Sequence, residues 1–303
     1  MKTFIFTDIT SDIPQDISAK YTDFEILPFS FSLDDDHYDN INNFLPIQEF
    51  YERMKKGAKA TTSMLSQYLC NEKMEEKLSA GYDVLYISFS SALSGTFNAA
   101  SLVARELKEK YPDRKIQVID SLNASSGEGL LINYVVKKRD SGATFDELVQ
   151  YTTDILDHVC SYFSVDDLKH LARMGRVSKT AAFIGEIAQI KPVLYVNKLG
   201  ELVPITKVMS RRKVYRALID KMEEKMLPIA EQNLIYIGHG ACFDDATLLK
   251  NMLLEKFGSN LDIVITDIGS VIGSHTNAGV IALFFLGKDK IEAKDANVSN
   301  LKA

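Results

Sequence analysis

The chain has 303 residues, with 35 Lys and Arg against 41 Asp and Glu and a net charge of −6. This acidic balance, with its cations scattered along the chain, argues against nucleic acid as a partner. The chain has three cysteines, Cys70, Cys160 and Cys242, and no two of them have C-x-x-C spacing. This odd count and wide spacing argue against disulfides and structural zinc and fit a reducing cytosol. No apolar run reaches the ~18 residues of a membrane span, and no leader precedes the first predicted strand. A cytoplasmic protein is therefore expected.

Short β-like runs alternate with amphipathic helices in the first half of the chain. The predicted strands are Thr3 to Thr7, Phe24 to Leu27, Asp83 to Phe89 and Ile116 to Ile119. Four helices are predicted: one that starts at Pro14, one from Ile47 to Lys56, one that follows the 90–96 segment and ends at Glu109, and one from Glu128 to Lys138. This alternation predicts an α/β fold with a mainly parallel sheet, whose sites lie at the carboxyl ends of the strands.

The second half differs because it includes a β-hairpin, with its turn at Asn197 to Gly200. The predicted strands are Tyr162 to Val165, Pro192 to Val196, Glu201 to Ile205, Leu234 to His239 and Asp262 to Ile268. The predicted helices are Asp167 to Arg173, Ser178 to Gln189, Arg211 to Lys225 and Asp244 to Phe257. We expect two α/β domains, residues 1–160 and 161–303, the second with a mixed sheet.

Hydroxyl-bearing residues recur where the predicted strands end, in segments 61–63, 90–96, 120–127 and 273–277. Ser94 precedes a long helix. Its hydroxyl either caps that helix or binds a ligand anion at the helix N-terminus. Thr62 and Ser63 stand in the same relation to a helix starting near Ser66. Taken singly, such residues are more typical of caps, loops or a structural histidine. Parallel topology, however, would bring the segments together.

These segments resemble, in chain order, the motifs of the DegV family. The similar stretches are Thr7 to Asp12 (T-D-I-T-S-D), Thr61 to Ser66 (T-T-S-M-L-S), Ile87 to Phe97 (I-S-F-S-S-A-L-S-G-T-F), Val118 to Gly129, Val165 to Leu168 (V-D-D-L), Leu171 to Ser178 (L-A-R-M-G-R-V-S), Ile190 to Leu194 (I-K-P-V-L) and Val271 to Thr276 (V-I-G-S-H-T). The departures from the family pattern are Met64-Leu65 for Gln-Pro, Met174 for the first glycine of G-G-R, and Asn277-Ala278 for Gly-Pro.

The resemblance implies a lipid-binding protein with two α/β domains and one long-chain fatty acid, such as palmitate, stearate or oleate, buried between and within them. DegV-like relatives include the FakB subunit of bacterial fatty acid kinase. That subunit presents the acid to a separate ATP-dependent kinase, which phosphorylates the carboxylate. The chain itself would then be no enzyme and need no metal or cofactor, with transient membrane contact as a further expectation.

The resemblance also implies roles for individual residues. Carried over by motif, the residues that bind the carboxylate are Thr62, Ser94, His275 and Thr276, with Ser63 and Ser126 beside them. Arg173 and Arg176 are expected to contact the kinase. A carboxylate taken out of water needs several hydrogen bonds or a counter-charge, and a protonated His275 would add charge. The apolar runs Ala181 to Ile190 and Val280 to Leu286 are equally consistent with a pocket lining and with plain core.

A serine esterase or acyltransferase is the main alternative. Ser94, Asp120 and His275 follow the chain order of α/β-hydrolase triads. The G-x-S-x-G elbow is absent, however, because Leu93-Ser94-Gly95 lacks the preceding glycine.

Two further enzyme classes find less support. A kinase would need a phosphate-binding G-x-x-x-x-G-K-[ST] loop, which the sequence lacks. A metal enzyme would have to use His239 and Cys242, which are three residues apart, and no second pair of ligands accompanies them.

Overall fold

The protein is described by a computed structural model that covers residues 2–177, 190–229 and 233–290. In chain order the strands are β1 (Thr3–Asp8), β2 (Phe24–Leu27), β3 (Phe31–Leu33), β4 (Asp36–Tyr38), β5 (Ala60–Thr62), β6 (Asp83–Ser88), β7 (Ile116–Asp120), β8 (Val159–Ser164), β9 (Ile190–Val196), β10 (Leu202–Met209), β11 (Leu234–His239), β12 (Asp262–Asp267) and β13 (Ile281–Leu286). The predicted helix from Ser178 to Gln189 lies outside the described residues, as does most of the run from Ala181 to Ile190.

The helices in the described ranges are α1 (Gln15–Ser18), α2 (Ile47–Lys55), α3 (Gln67–Ser79), α4 (Thr96–Lys110), α5 (Ser126–Asp140), α6 (Phe145–Ile155), α7 (Leu168–Arg173), α8 (Arg211–Lys225), α9 (Phe243–Phe257) and α10 (Ser270–Thr276). Several begin at side-chain caps. Ser66 accepts the Leu69 N–H ahead of α3, and Thr144 and Glu147 form a reciprocal capping box ahead of α6. Such caps satisfy backbone donors that have no partner inside the helix.

The first sheet has the strand order β2-β1-β6-β7, and all three of its strand pairs are parallel. The carboxyl ends of β1, β6 and β7 therefore meet at one edge, where the segments that follow Asp8, Ser88 and Asp120 leave the sheet. This is the mainly parallel sheet that the strand–helix alternation predicts.

The second sheet has six strands in the order β10-β9-β8-β13-β11-β12. Among these pairs β11 and β12 are parallel and the others antiparallel. The expected α/β class, with a parallel first sheet and a mixed second one, is confirmed. The apolar run from Val280 to Leu286 supplies β13, which lies near the centre of this sheet.

The third sheet is small and antiparallel, with the order β4-β3-β5. Its strands are three residues each, too short to show a periodic sequence pattern, and the sequence prediction missed them. This sheet carries Thr62 at the end of β5 and packs with α2 around Phe31 and Phe50.

Helix α5 packs against β1 of the first sheet and against β8, β11 and β13 of the second. Leu130, Leu131, Ile132, Val135 and Val136 are all buried along it. A helix that is apolar on nearly every side belongs in an interior. The strands of the first sheet end by residue 120 and those of the second begin at 159; the domain division near residue 160 remains a prediction.

Alternate residues of the central strands enter two different cores. Phe163, Ala282 and Phe284 face the core shared with α5 and the first sheet, whereas Tyr162, Leu283 and Phe285 face the core formed with α8 and α9. This alternation is the two-residue period of a strand buried on both faces. The site described below opens from the first of these two cores.

Candidate ligand cavity

A mostly apolar cavity lies over the face of the second sheet that carries Phe163 and Phe284. Its walls come from β8, β9, β10 and β13, from α7 and α10, and from the loops that precede α4 and α5. The space measures about 600 Å³ with its opening to solvent included. The lining residues are Phe89, Leu93, Ala124, Ser125, Ser161, Phe163, Leu171, Arg176, Val196, Leu202, Ile268, Ile272, His275, Thr276, Val280, Ala282 and Phe284.

The polar end of the cavity is the part lined by His275 and Thr276 of α10. Thr62 on β5 is not itself a lining residue, but it contacts the His275 ring. Thr62 Oγ1 lies 2.9 Å from His275 Nε2, a hydrogen-bond distance. The other ring nitrogen, Nδ1, is buried and has no partner among the described residues. A buried polar atom without a partner costs free energy, so this nitrogen is suited to meet a ligand.

His275 is neutral near pH 7. Burial lowers its pKa to about 4, and the positive charges of Arg176 and His170 act in the same direction. Because a neutral imidazole donates from one nitrogen and accepts at the other, the Thr62 contact decides which nitrogen is left to donate. A lowered pKa favours the neutral imidazole near pH 7, so His275 offers a hydrogen bond there and not a charge.

Thr276 lines the cavity next to His275. Its Oγ1 donates to the Ile272 carbonyl at 3.1 Å within α10. The hydroxyl proton is thus used inside the helix, and the oxygen lone pairs remain for other contacts. Helix α10 was expected as a glycine-containing turn; its seven residues bring Ile272, His275 and Thr276 onto the cavity.

Ser94 lies in the turn before α4, directly after the lining residue Leu93. Its Oγ accepts the Thr96 N–H at 3.2 Å and lies 2.8 Å from Thr96 Oγ1. The side chain therefore closes the turn that leads into the helix, as an ST-turn residue does. This role leaves hydrogen-bonding capacity on the half-buried hydroxyl.

Ser63 and Ser126 do not line the cavity. Ser63 Oγ donates to the Ser30 carbonyl at 3.0 Å on the exposed side of the third sheet. Ser126 is fully buried at the start of α5, and its Oγ has no partner among the described residues. Their assignment to the site remains a prediction that the geometry does not strengthen.

The two arginines lie in different surroundings. The Arg173 side chain is 63% exposed and lies 3.3 Å from Asp167. Arg176 is half-buried in the cavity wall, where its Nε donates to the Leu93 carbonyl at 3.1 Å and its Nη1 to the Met174 carbonyl at 2.6 Å. Sequence reasoning missed that Arg176 belongs to the cavity; the only signal was its place in the G-R turn.

Residues 2–288 match the protein family described as "Uncharacterised protein, DegV family". The chain belongs to the DegV family. A DegV domain-containing protein of Clostridium perfringens is 40% identical over 292 residues, which cover 96% of this chain and 99% of that protein.

Solved DegV structures share the fold. The chain superposes with a TM-score of 0.83 and 25% identity on a Thermus thermophilus DegV family protein described for its fatty acid binding, covering 95% of this chain and 100% of that one. A fatty acid binding DegV family protein of Streptococcus agalactiae gives a TM-score of 0.81 and 26% identity, with the same coverage.

The DegV motif V-D-D-L supports the cavity indirectly. Asp166 accepts hydrogen bonds from Lys191 at 2.9 Å and from Arg211 at 3.0 Å. Arg211 also donates to the Gly279 carbonyl at 2.6 Å. These contacts hold the start of β13, and therefore the lining residue Val280, next to α10.

A hydrolase triad is not assembled at this DegV site. The ring of His275 bonds Thr62, and among the described residues no carboxylate contacts its second nitrogen. Asp120 instead accepts the N–H groups of Ser91 and Leu122. A triad needs the base between its nucleophile and an orienting acid, and this arrangement has neither contact.

Within 2–177, 190–229 and 233–290, no group of three or more His, Cys, Asp and Glu side chains is placed to hold a metal ion. His239 Nδ1 lies 3.5 Å from Asp267, and Cys242 Sγ contacts Arg211 and the Val280 carbonyl. In the same ranges no helix is long and apolar enough to cross a membrane.

Proposed function

We propose that this DegV chain binds one long-chain fatty acid, with the acyl chain in the cavity and the carboxylate at its polar end. The observation that carries the proposal is the mostly apolar cavity that His275 lines, with Thr62 bonded to the His275 ring. The fatty acid binding described for the Thermus and Streptococcus relatives supports the same ligand class.

Hydrophobic burial supplies most of the binding free energy. Burying ~14 methylenes at ~0.8 kcal/mol each favours binding by on the order of 11 kcal/mol before the cost of association. Palmitate, stearate and oleate all provide this length. The lining side chains Phe89, Phe163, Ile272 and Phe284 present the apolar surface that such a chain needs.

The carboxylate is held by neutral donors next to one cation. We assign it to Thr62, Ser94, His275 and Thr276. Ser94 and His275 donate directly, His275 from the nitrogen that does not bond Thr62. Thr62 acts through His275 by donating to the other ring nitrogen, and the Thr276 hydroxyl reaches the carboxylate by turning from the Ile272 carbonyl. Among the described lining residues Arg176 is the charged one. Its guanidinium favours an anion at this end of the cavity, because a half-buried charge is only partly screened by water.

The chain then acts as a cytoplasmic carrier, and the chemistry belongs to a separate ATP-dependent fatty acid kinase. Arg173 supports a docking surface because its side chain is exposed and bears a charge. Transient membrane contact would let the carrier exchange its ligand.

Mass spectrometry of an organic extract of the natively purified protein tests the proposal. A near-stoichiometric fatty acid is expected, and its mass identifies the chain length. The same protein, stripped of lipid, should bind added oleate with one site per chain. A clean extract together with no binding of oleate or palmitate would overturn the proposal.

A further inference from the structure

Asp12 ends the T-D-I-T-S-D motif, and none of the ligand contacts proposed above uses it. It has a left-handed backbone with φ 47° and ψ 34°, at the end of the short 3-10 turn Ile9–Ser11 that follows β1. This conformation turns the chain sharply away from the sheet edge and is one that aspartate tolerates better than most residues.

The two carboxylate oxygens of Asp12 bond two different elements that contribute to the cavity. Oδ2 accepts the Ser125 hydroxyl at 2.5 Å, and Ser125 lines the cavity ahead of α5. Oδ1 accepts the Gly269 N–H at 3.0 Å, and Gly269 is the residue from which α10 starts. One side chain therefore links the loop wall to the helix that carries His275.

The approach of Asp12 to Gly269 is close. A Cβ on Gly269 would lie 2.6 Å from Asp12 Oδ1, a separation that real Cβ atoms essentially never show. Glycine is required here for the close contact, since its own φ of −65° is ordinary. The Asp12 carbonyl also accepts the Thr266 hydroxyl at 3.3 Å, and Tyr51 donates to the Ile268 carbonyl at 2.7 Å.

The groups that face Asp12 are acids and a phenol. Asp8 of β1, Glu128 of α5, Asp267 of β12 and Tyr51 of α2 all interact with it electrostatically. Removal from water raises the pKa of Asp12 to about 7, with smaller contributions from the charges of Asp267 and Asp8. The bonds from Ser125 and Gly269 lower it again in part.

We propose that Asp12 is a positioning residue for the ligand cavity: it holds the start of α10 against the Ser125 wall, and so sets where His275 and Thr276 meet the ligand. The ligand part rests on the proposed function. The positioning itself does not, because it concerns the cavity walls before any ligand binds.

Hydrogen-bond geometry gives this positioning its effect. The Thr62–His275 contact crosses from the third sheet to α10, and a site keeps its affinity only when such groups stay within about 0.5 Å of the working geometry. Without the Asp12 carboxylate, the Gly269 N–H and the Ser125 hydroxyl lose their shared acceptor. The start of α10 then has fewer contacts to hold it.

Asparagine can replace the protonated form of Asp12. Its amide oxygen can accept the Gly269 N–H, and its NH₂ group can donate to Ser125, whose hydroxyl oxygen also accepts. Alanine keeps neither bond. Asp16, an exposed acid in the nearby helix α1, provides a matched control that changes charge without touching the cavity.

The experiment compares wild type, Asp12→Ala, Asp12→Asn and Asp16→Asn. Amide hydrogen exchange of residues 269–276 is measured in the lipid-free proteins, and oleate affinity is measured by titration. We expect Asp12→Ala to speed exchange in α10 at least tenfold and to raise the oleate dissociation constant about tenfold. Asp12→Asn and Asp16→Asn should stay close to wild type in both.

The pH profile separates positioning by this carboxylate from simple filling of space. Because the folded pKa of Asp12 lies above its unfolded value, it contributes stability that is lost as the pH rises toward 7. Asp12→Asn should therefore flatten the fall of the melting temperature between pH 4 and 7, and Asp16→Asn should not.

Two results would overturn the proposal. One is an Asp12→Ala variant whose amide exchange in α10 and oleate affinity equal those of wild type. The other is an Asp12→Asn variant in which both quantities change as much as in Asp12→Ala. If Asp12→Ala does not fold, Ser125→Ala takes its place, with faster α10 exchange expected and unchanged exchange as the contrary result. If wild type itself binds no oleate, the proposed function fails, while the exchange measurements still decide the positioning role.

Discussion

Thr62 Oγ1 and His275 Nε2 are 2.9 Å apart, although 213 residues separate them in the chain. Thr62 comes from the small third sheet and His275 from α10, so their contact depends on how those two elements pack. The pair lies at the polar end of an otherwise apolar cavity, which makes it the most direct point at which to test ligand binding.

Replacing Thr62 with Val should weaken oleate binding about 10- to 100-fold. Valine keeps the shape but removes the hydroxyl that holds His275 in its donating tautomer. A hydrogen bond from His275 to the charged carboxylate contributes about 1.5–3 kcal/mol. Titration of lipid-stripped protein measures the effect. Ser63→Ala, one residue along and outside the cavity, is the control and should bind as wild type; equal affinity in Thr62→Val would remove Thr62 from the site.

His275 should remain neutral from pH 8 down to about pH 5. Burial holds its folded pKa at about 4, below the unfolded value, so the unfolded chain binds more protons between pH 4 and 6.5. The contribution of His275 to stability is thus present above pH 6.5 and is lost as the pH falls toward 4. Imidazole NMR shifts, assigned with His275→Gln, test this: a midpoint near 6.5 would contradict it.

Asp8 should make the stability of the protein fall as the pH rises, which is opposite to the effect of His275. It is fully buried, and burial raises its pKa to about 6 even though its carboxylate accepts the Phe89 N–H at 3.1 Å. The folded protein then binds the extra proton, so stability falls as the pH rises from about 4 to 6. About two pKa units correspond to roughly 3 kcal/mol.

Urea unfolding across this pH range measures the effect. Asp8→Asn should flatten the curve, provided that the variant still folds cooperatively. The exposed acid Asp16 gives the comparison, since Asp16→Asn should leave the slope between pH 4 and 6 unchanged. Part of the slope should remain because Asp12 titrates in the same range, and an undiminished slope in Asp8→Asn would assign all of it to Asp12 or Glu128.

Gly279→Ala should destabilise the protein more than Gly142→Ala. Both glycines have positive φ, 86° and 94°. An alanine at either position is therefore strained in its backbone by about 1 kcal/mol. A Cβ at Gly142 meets open space, whereas one at Gly279 would lie 2.2 Å from Asp166 Oδ2. The additional strain should cost about 1–3 kcal/mol and displace Val280, which lowers oleate affinity.

Thermal unfolding and oleate titration of the two variants provide the comparison. Gly142→Ala should bind oleate as wild type does. Equal loss of stability in both variants would mean that Asp166 moves aside without loss of free energy from its contacts with Lys191 and Arg211.

Charge reversal at Arg173 and at Arg176 should have different effects. Under the proposed function, Arg173→Glu should abolish acyl phosphate formation with the proposed kinase while oleate binding stays intact, because its side chain is exposed. Arg176→Glu should weaken oleate binding itself, since it places a negative charge in the cavity wall. Lipid binding that fails in Arg173→Glu would make Arg173 a structural residue.

Much of the fold could be predicted from local pattern. The parallel first sheet, the hairpin of β9 and β10 and the long helices follow from periodicity and turn residues, which act over a few neighbouring positions. The third sheet could not be predicted in this way, because its three-residue strands are too short for a period. Helix α6 was also missed, although Thr144 and Glu147 carry a capping-box signal.

The sequence by itself determined the family and the candidate hydroxyls and histidine, since these depend on residue identity in order along the chain. Tertiary structure decided which of them meet: Thr62 with His275, Asp12 with Gly269, and Arg176 with the cavity instead of the open surface. It also decided that His275 is neutral. Desolvation and long-range contacts depend on what the fold packs around a group, and no local pattern records that.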